Sequence, residues 1–119
     1  LVYIVSTISS MNATQFTDEQ RNTLMHLLDH ADHCSNAIQS HIWLLFANLS
    51  HHTLTVPLLI SIGCPARLVR WIVGESNLEN LNSLLTATVN LARHDQGAEA
   101  LIQAYAVDAI TRRIRMEQD

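Results

Sequence analysis

Leu24, Leu28, Ala31, Ser35, Ile38, Ile42, Leu45 and Leu49 recur at alternating steps of four and three residues. That spacing places all eight on one mostly apolar stripe of an α-helix. Thr17 stands where it can cap such a helix, Asp18 and Glu19 fall in its positive first turn, and Gln20 completes a Thr-x-x-Gln capping box. Run without interruption from Asp18 to Ser50, the helix would be roughly 50 Å long, longer than a small domain is wide. Either it bends or breaks near Ser35-Asn36, or another subunit covers its excess length. The second half favours cover, because Ile42, Trp43, Leu44, Leu45 and Phe46 are apolar on every side and such a turn belongs inside something. The expected interface is therefore Ile38, Ile42, Trp43, Leu45, Phe46 and Leu49, facing a second copy in a homodimer or a different protein partner.

The rest of the chain is punctuated by proline and glycine. Pro57 opens a short helix that Gly63 ends, and Pro65 occupies the first turn of another that runs from Ala66 to Val73 and stops at Gly74. Ser76 and Glu79 form a second capping box for a helix to about His94. There Leu78, Leu81, Leu84, Leu85, Thr88, Val89, Leu91 and Ala92 take one side, and Asn80, Asn82, Ser83, Thr86, Asn90 and His94 the other. His94 to Gly97 is the last expected turn, and a closing helix from Ala98 to about Met116 ends in Arg112, Arg113 and Arg115. No internal repeat stands out.

With 119 residues, 48% apolar and 15% charged, the chain can bury one core and is too short for two ordinary domains. The expected fold is all-α: a single-domain helical bundle with one long N-terminal helix and a short helical hairpin. Residues 1–16 read as an N-terminal extension and 17–119 as the helical domain. Five apolar residues at Leu1 to Val5 are far short of a membrane span, and two prolines and two arginines interrupt the apolar stretch from Leu54 to Val73. The expectation is a cytoplasmic protein with no membrane partner.

The hairpin from Leu58 to Ile72 resembles a helix-turn-helix, with Val69 and Ile72 as apolar anchors and Arg67, Arg70 and Trp71 projecting from the candidate recognition helix. The resemblance implies a DNA-binding transcriptional regulator, in which those arginines would reach phosphates or guanine edges. Against it stand Leu59, where the family places a small residue, the almost wholly apolar preceding helix, and a net charge of -4. A buried hairpin with snorkelling arginines accounts for the same residues.

His26, His30 and His33 share a helix face with Asp29 and His41 if the first helix is continuous. Histidines one turn apart can ligate zinc, copper or nickel, but spacing alone is a weak metal signal without HExxH or a second ligand helix. The expected role is a solvated or interfacial face, with a pH-sensitive contact as the second reading and a metal site as the third. Cys34 and Cys64 form no CxxC and read as small buried hydrophobes. Cys64 also stands near a helix amino terminus, a place that lowers thiol pKa values. No catalytic constellation, glycine-rich phosphate loop or cofactor motif is present, so the expectation is a regulatory or interaction protein acting through protein contacts, with no enzyme activity, metal or cofactor.

Overall fold

The structure, a computed structural model, describes residues 18–118. Seven helices follow one another there: α1 (Asp18–Ala31), α2 (Asn36–Ser50), α3 (Val56–Ser61), α4 (Cys64–Gly74), α5 (Leu78–Ala92), α6 (Asp95–Gln103) and α7 (Ala106–Gln118). The described residues contain no strand, and they pack as one all-α body. The expected extension at 1–16 and the Thr17 cap lie outside them.

The stripe that opens the sequence crosses two helices instead of running along one. Ser35 adopts an extended backbone, φ −66° and ψ 159°, and its hydroxyl accepts from the Ile38 amide, which starts α2 afresh. The Gln39 side chain donates to the Ala31 carbonyl at 2.7 Å and so satisfies the end of α1. Leu24, Leu28 and Ala31 remain buried before the break, and Ile42, Leu45 and Leu49 after it.

Other boundaries differ from the sequence reading, and the expected turn at His94 to Gly97 is helical from Asp95 on, with His94 at the N-cap position. Asn77, not Ser76, caps α5, its side chain accepting from the Asn80 amide at 3.1 Å. The closing helix is cut at Ala104-Tyr105 into α6 and α7, because Tyr105 takes a left-handed φ of 63°. Neither glycine nor proline marks that cut.

The helices repeat. Asn36 and Leu78 open α2 and α5, Ser50 and Ala92 close them, Ser61 and Gln103 close α3 and α6, and Cys64 and Ala106 open α4 and α7. Each pair is displaced by 42 residues. The side-chain caps Ser35 and Asn77 obey the same offset, as do the two left-handed residues, Gly63 at φ 83° and Tyr105. Core positions repeat with them: Ile42 and Leu84, Leu45 and Ala87, Leu49 and Leu91, Leu59 and Leu101, Cys64 and Ala106 are buried in both units. The chain is thus two successive three-helix units, α2–α4 and α5–α7, with α1 added before the first. A repeat is hidden from the sequence because only seven of 39 aligned positions are identical.

Stacking supplies most of the core. α2 packs along α5, α4 along α7, and α3 along α6, so each helix of the first unit lies on its counterpart in the second. Asn90 of α5 is buried in this interface, where its amide donates to the Ala47 carbonyl at 3.2 Å and to the Ser50 hydroxyl at 3.3 Å. The expected polar face of α5 is therefore partly inside, with Asn80 and Asn90 buried, while Leu78 and Val89 from its apolar face are exposed. No helix of the described residues is long and apolar enough to cross a membrane.

Candidate interaction surface

The α1–α2 turn is fastened to α4 by a group of polar contacts. Asp32 accepts from the Trp71 indole at 2.8 Å through one carboxylate oxygen and from Arg70 at 2.5 Å through the other. Arg67 reaches the Leu28 carbonyl at 3.1 Å and Asp29 at 2.5 Å. Under these contacts Trp71 lies against Trp43, ring centroids 4.2 Å apart, and Phe46 completes the cluster. Trp43 donates its own indole N–H to Glu75 at 3.2 Å, and the other oxygen of that carboxylate accepts from the Asn77 amide. One carboxylate thus ties α1 to α4, and a second ties α2 to the start of α5.

Beyond Arg70 the surface opens into a groove of about 490 Å³ between α4 and α7. Val69, Arg70 and Val73 form one wall, and Tyr105, Asp108, Ala109 and Arg112 the other. Arg70 and Arg112 occupy the same place in the two units, 42 residues apart, so the groove carries one guanidinium from each. The two helices around it hold five of the chain's seven arginines, Arg67, Arg70, Arg112, Arg113 and Arg115, against two carboxylates, Asp108 and Glu117. Arg67 and Arg70 are paired with Asp29 of α1 and Asp32 just after it, so the arginines gather here with carboxylates beside them. The sequence shows the arginines but not their convergence, because the 42-residue register that superimposes them is legible only from the helix boundaries.

The residues singled out from the sequence fall in three places. Ile42, Trp43, Leu45, Phe46 and Leu49 are buried within the chain, leaving Ile38 of that set exposed. The chain's own second unit provides the cover that was assigned to a dimer partner, because α5 packs along α2. Trp71 does not project as a recognition-helix residue; it is buried against Trp43, and α4 is flanked by α5, α6 and α7. Arg67 and Arg70 do reach the surface, held by Asp29 and Asp32.

His26, His30, His33 and His41 are exposed, but the break at Asp32 to Ser35 ends the continuous wheel that would have aligned them. Among the described residues no group of three or more His, Cys, Asp or Glu side chains is placed to hold a metal ion. Cys34 and Cys64 are free thiols. Burial pushes the Cys64 thiol up to about 12 from an ordinary 9.0, and nearby Arg67 offsets only part of this. The helix amino terminus therefore does not produce a reactive thiolate at this position.

Compared with protein-family models, with curated proteins and with solved structures, the chain matches none.

Proposed function

We propose that the chain is a helical-repeat interaction module that binds an extended, acidic segment of a protein partner along the α4–α7 groove. The observation that carries this reading is that Arg70 and Arg112, one from each unit, line opposite walls of the groove together with the apolar Val69, Val73 and Ala109. Three-helix units with a period near 40 residues form solenoids, the class that includes armadillo and HEAT arrays, and their stacked helices make long binding surfaces. A carboxylate-bearing peptide fits this chemistry, since guanidinium groups at a fixed spacing select for acceptors at a matching spacing. Small apolar side chains between the carboxylates would meet the valines, and Asp108 would accept a backbone N–H from the segment. The role is regulatory or scaffolding, with no chemical step.

Fluorescence anisotropy distinguishes this from DNA binding. The probes are a labelled short peptide alternating Glu and Val, its Lys-for-Glu counterpart, and a duplex DNA of random sequence. The acidic peptide should bind best, Arg112→Ala should weaken it about tenfold, as expected for one lost charged hydrogen bond, and added salt should weaken it further. Duplex binding that depends on Arg112 while the acidic peptide stays free would overturn the reading in favour of DNA, and binding of neither probe would overturn both.

A further inference from the structure

Arg70 and Arg112 hold equivalent places on the two walls of the groove, but their guanidinium groups are not equally available. Arg70 donates to Asp32 Oδ2 at 2.5 Å, and Asp32 lies in the α1–α2 turn and does not line the groove. Among the described residues Arg112 has no carboxylate within ion-pair distance.

The inequality has a source in the sequence. α4 and α7 each send an arginine back to a carbonyl near the end of an earlier helix: Arg67 to Leu28 of α1 at 3.1 Å, and Arg113 to Val73 of α4 at 3.4 Å. One and four residues after Leu28 stand Asp29 and Asp32, whereas Gly74 and Asn77 stand at the same steps after Val73. The two acids that meet the arginines of α4 are thus replaced, in front of α7, by residues without charge. Asp32 is also fixed where it stands. Its other oxygen accepts from the Trp71 indole at 2.8 Å, and Arg67 lies 3.8 Å from the oxygen that Arg70 uses. A carboxylate tethered in this way competes for Arg70 at a high local concentration.

We propose that Asp32 is an internal competitor for the acidic ligand: it withholds Arg70, so that an entering segment is gripped by Arg112 and gains Arg70 only by exchange with Asp32. The proposal rests on the acidic-segment reading of the groove and adds to it the residue that sets the affinity. Exchanging one carboxylate for another on the same guanidinium returns little, whereas a carboxylate that meets Arg112 makes a new charged hydrogen bond without breaking an ion pair. Two arginines alike in position are therefore unequal in effect, and the ligand carboxylate aligned with Arg112 counts for more than the one aligned with Arg70.

Anisotropy with the labelled peptide alternating Glu and Val tests this. Asp32→Asn keeps an acceptor for the Trp71 indole and frees Arg70, so it should tighten the peptide about three- to fivefold, as expected for releasing one exposed ion pair. Adding Arg70→Ala to Asp32→Asn should cancel that gain. Asp29→Asn makes the same change of charge nearby, but its partner Arg67 does not line the groove, so it should move the affinity less than about twofold. With Asp32 intact, Arg70→Ala should weaken the peptide only about twofold, against about tenfold for Arg112→Ala. That comparison needs no change at Asp32. No gain from Asp32→Asn, a gain that survives Arg70→Ala or that Asp29→Asn reproduces, or equal losses from Arg70→Ala and Arg112→Ala would each overturn the proposal while leaving the groove as the peptide site. A peptide that binds none of these chains would overturn both.

Discussion

Gly63 and Tyr105 occupy the same turn of two successive units, and both have left-handed backbone conformations, φ 83° and 63°. For glycine that region is free of penalty, whereas for tyrosine it costs about 1–2 kcal/mol. A β-carbon at Gly63 would meet nothing within 4 Å, so Gly63→Ala isolates the backbone term. It should lower stability by about 1–2 kcal/mol in urea denaturation. Tyr105→Gly should do the opposite and raise stability by up to about 1 kcal/mol, after the greater freedom of glycine in the unfolded chain is subtracted. If Tyr105 is kept for its place in the groove, that same stabilised variant should bind the acidic peptide more weakly.

Gly97 is glycine for a different reason. A β-carbon there would stand 2.0 Å from the Leu91 carbonyl oxygen, where α6 crosses the end of α5. At the matching place in the first unit Thr55 donates its hydroxyl to the Leu49 carbonyl, and also to that of His52 at 2.8 Å. One unit fills the spot with a hydroxyl and the other with closely approaching backbone. Gly97→Ala should cost about 1–3 kcal/mol through forced displacement of α6. Thr55→Val removes the hydroxyl while the Leu49 carbonyl keeps the His52 amide at 3.2 Å, so it should cost less, about 0.5–1.5 kcal/mol. Thermal melts of the two variants check both figures.

Asp32 holds Trp71 and Arg70 at once, and the two bonds have different worth. The Trp71 indole is largely buried, so Asp32→Ala strands its N–H and should cost about 1–3 kcal/mol. Arg70 is 59% exposed at its side chain, so its ion pair contributes no more than about 1 kcal/mol. Asp32→Asn keeps an acceptor for the indole and removes the charge, and it should fall within about 1 kcal/mol of the unmodified chain. A double-mutant cycle with Arg70→Ala measures the ion pair separately.

The buried Cys64 thiol makes stability depend on alkaline pH. Its folded pKa, about 12, lies above the unfolded value of 9.0, so the folded state retains a proton that the unfolded state gives up. This contribution is complete below pH 9.0 and is lost as the pH rises toward about 12. Cys64→Ala should flatten that part of the pH profile while lowering stability at neutral pH through lost packing. At pH 8 a thiol reagent should modify the partly exposed Cys34 on the native chain and reach Cys64 only after denaturation.

Helix type and local punctuation were legible in the sequence because they depend on neighbouring residues. Pro57, Gly63 and Pro65 mark the α3–α4 hairpin, and the serine at position 35 marks the break before α2. What covers a helix depends on residues far away, and there the reading went astray. Trp43 looks like a surface needing a partner until α5 is laid beside it, and Trp71 looks like a projecting side chain until Asp32 and Trp43 are found around it. Tyr105 concealed the last helix boundary because tyrosine gives no local turn signal. With that boundary hidden, the second unit resembled two helices instead of three, and the repeat and the groove were hidden with it.

The placement of the aromatic side chains makes the two units optically unequal. Both tryptophans of the chain belong to the first unit, and the second has none. Tryptophan emission therefore reports on the first unit and on the cover that α5 lays over Trp43, while far-ultraviolet circular dichroism follows all the helices. Superimposed denaturation curves from the two probes would mean that the stack melts as one cooperative body. Because loss of α5 uncovers Trp43, an emission shift that is complete while part of the dichroism remains would mean that α5–α7 frays first, and the gap between the curves would measure what stacking on a neighbour adds to a unit's own stability. The natural sequence thus carries its own reporter on one half of the array, with no label required.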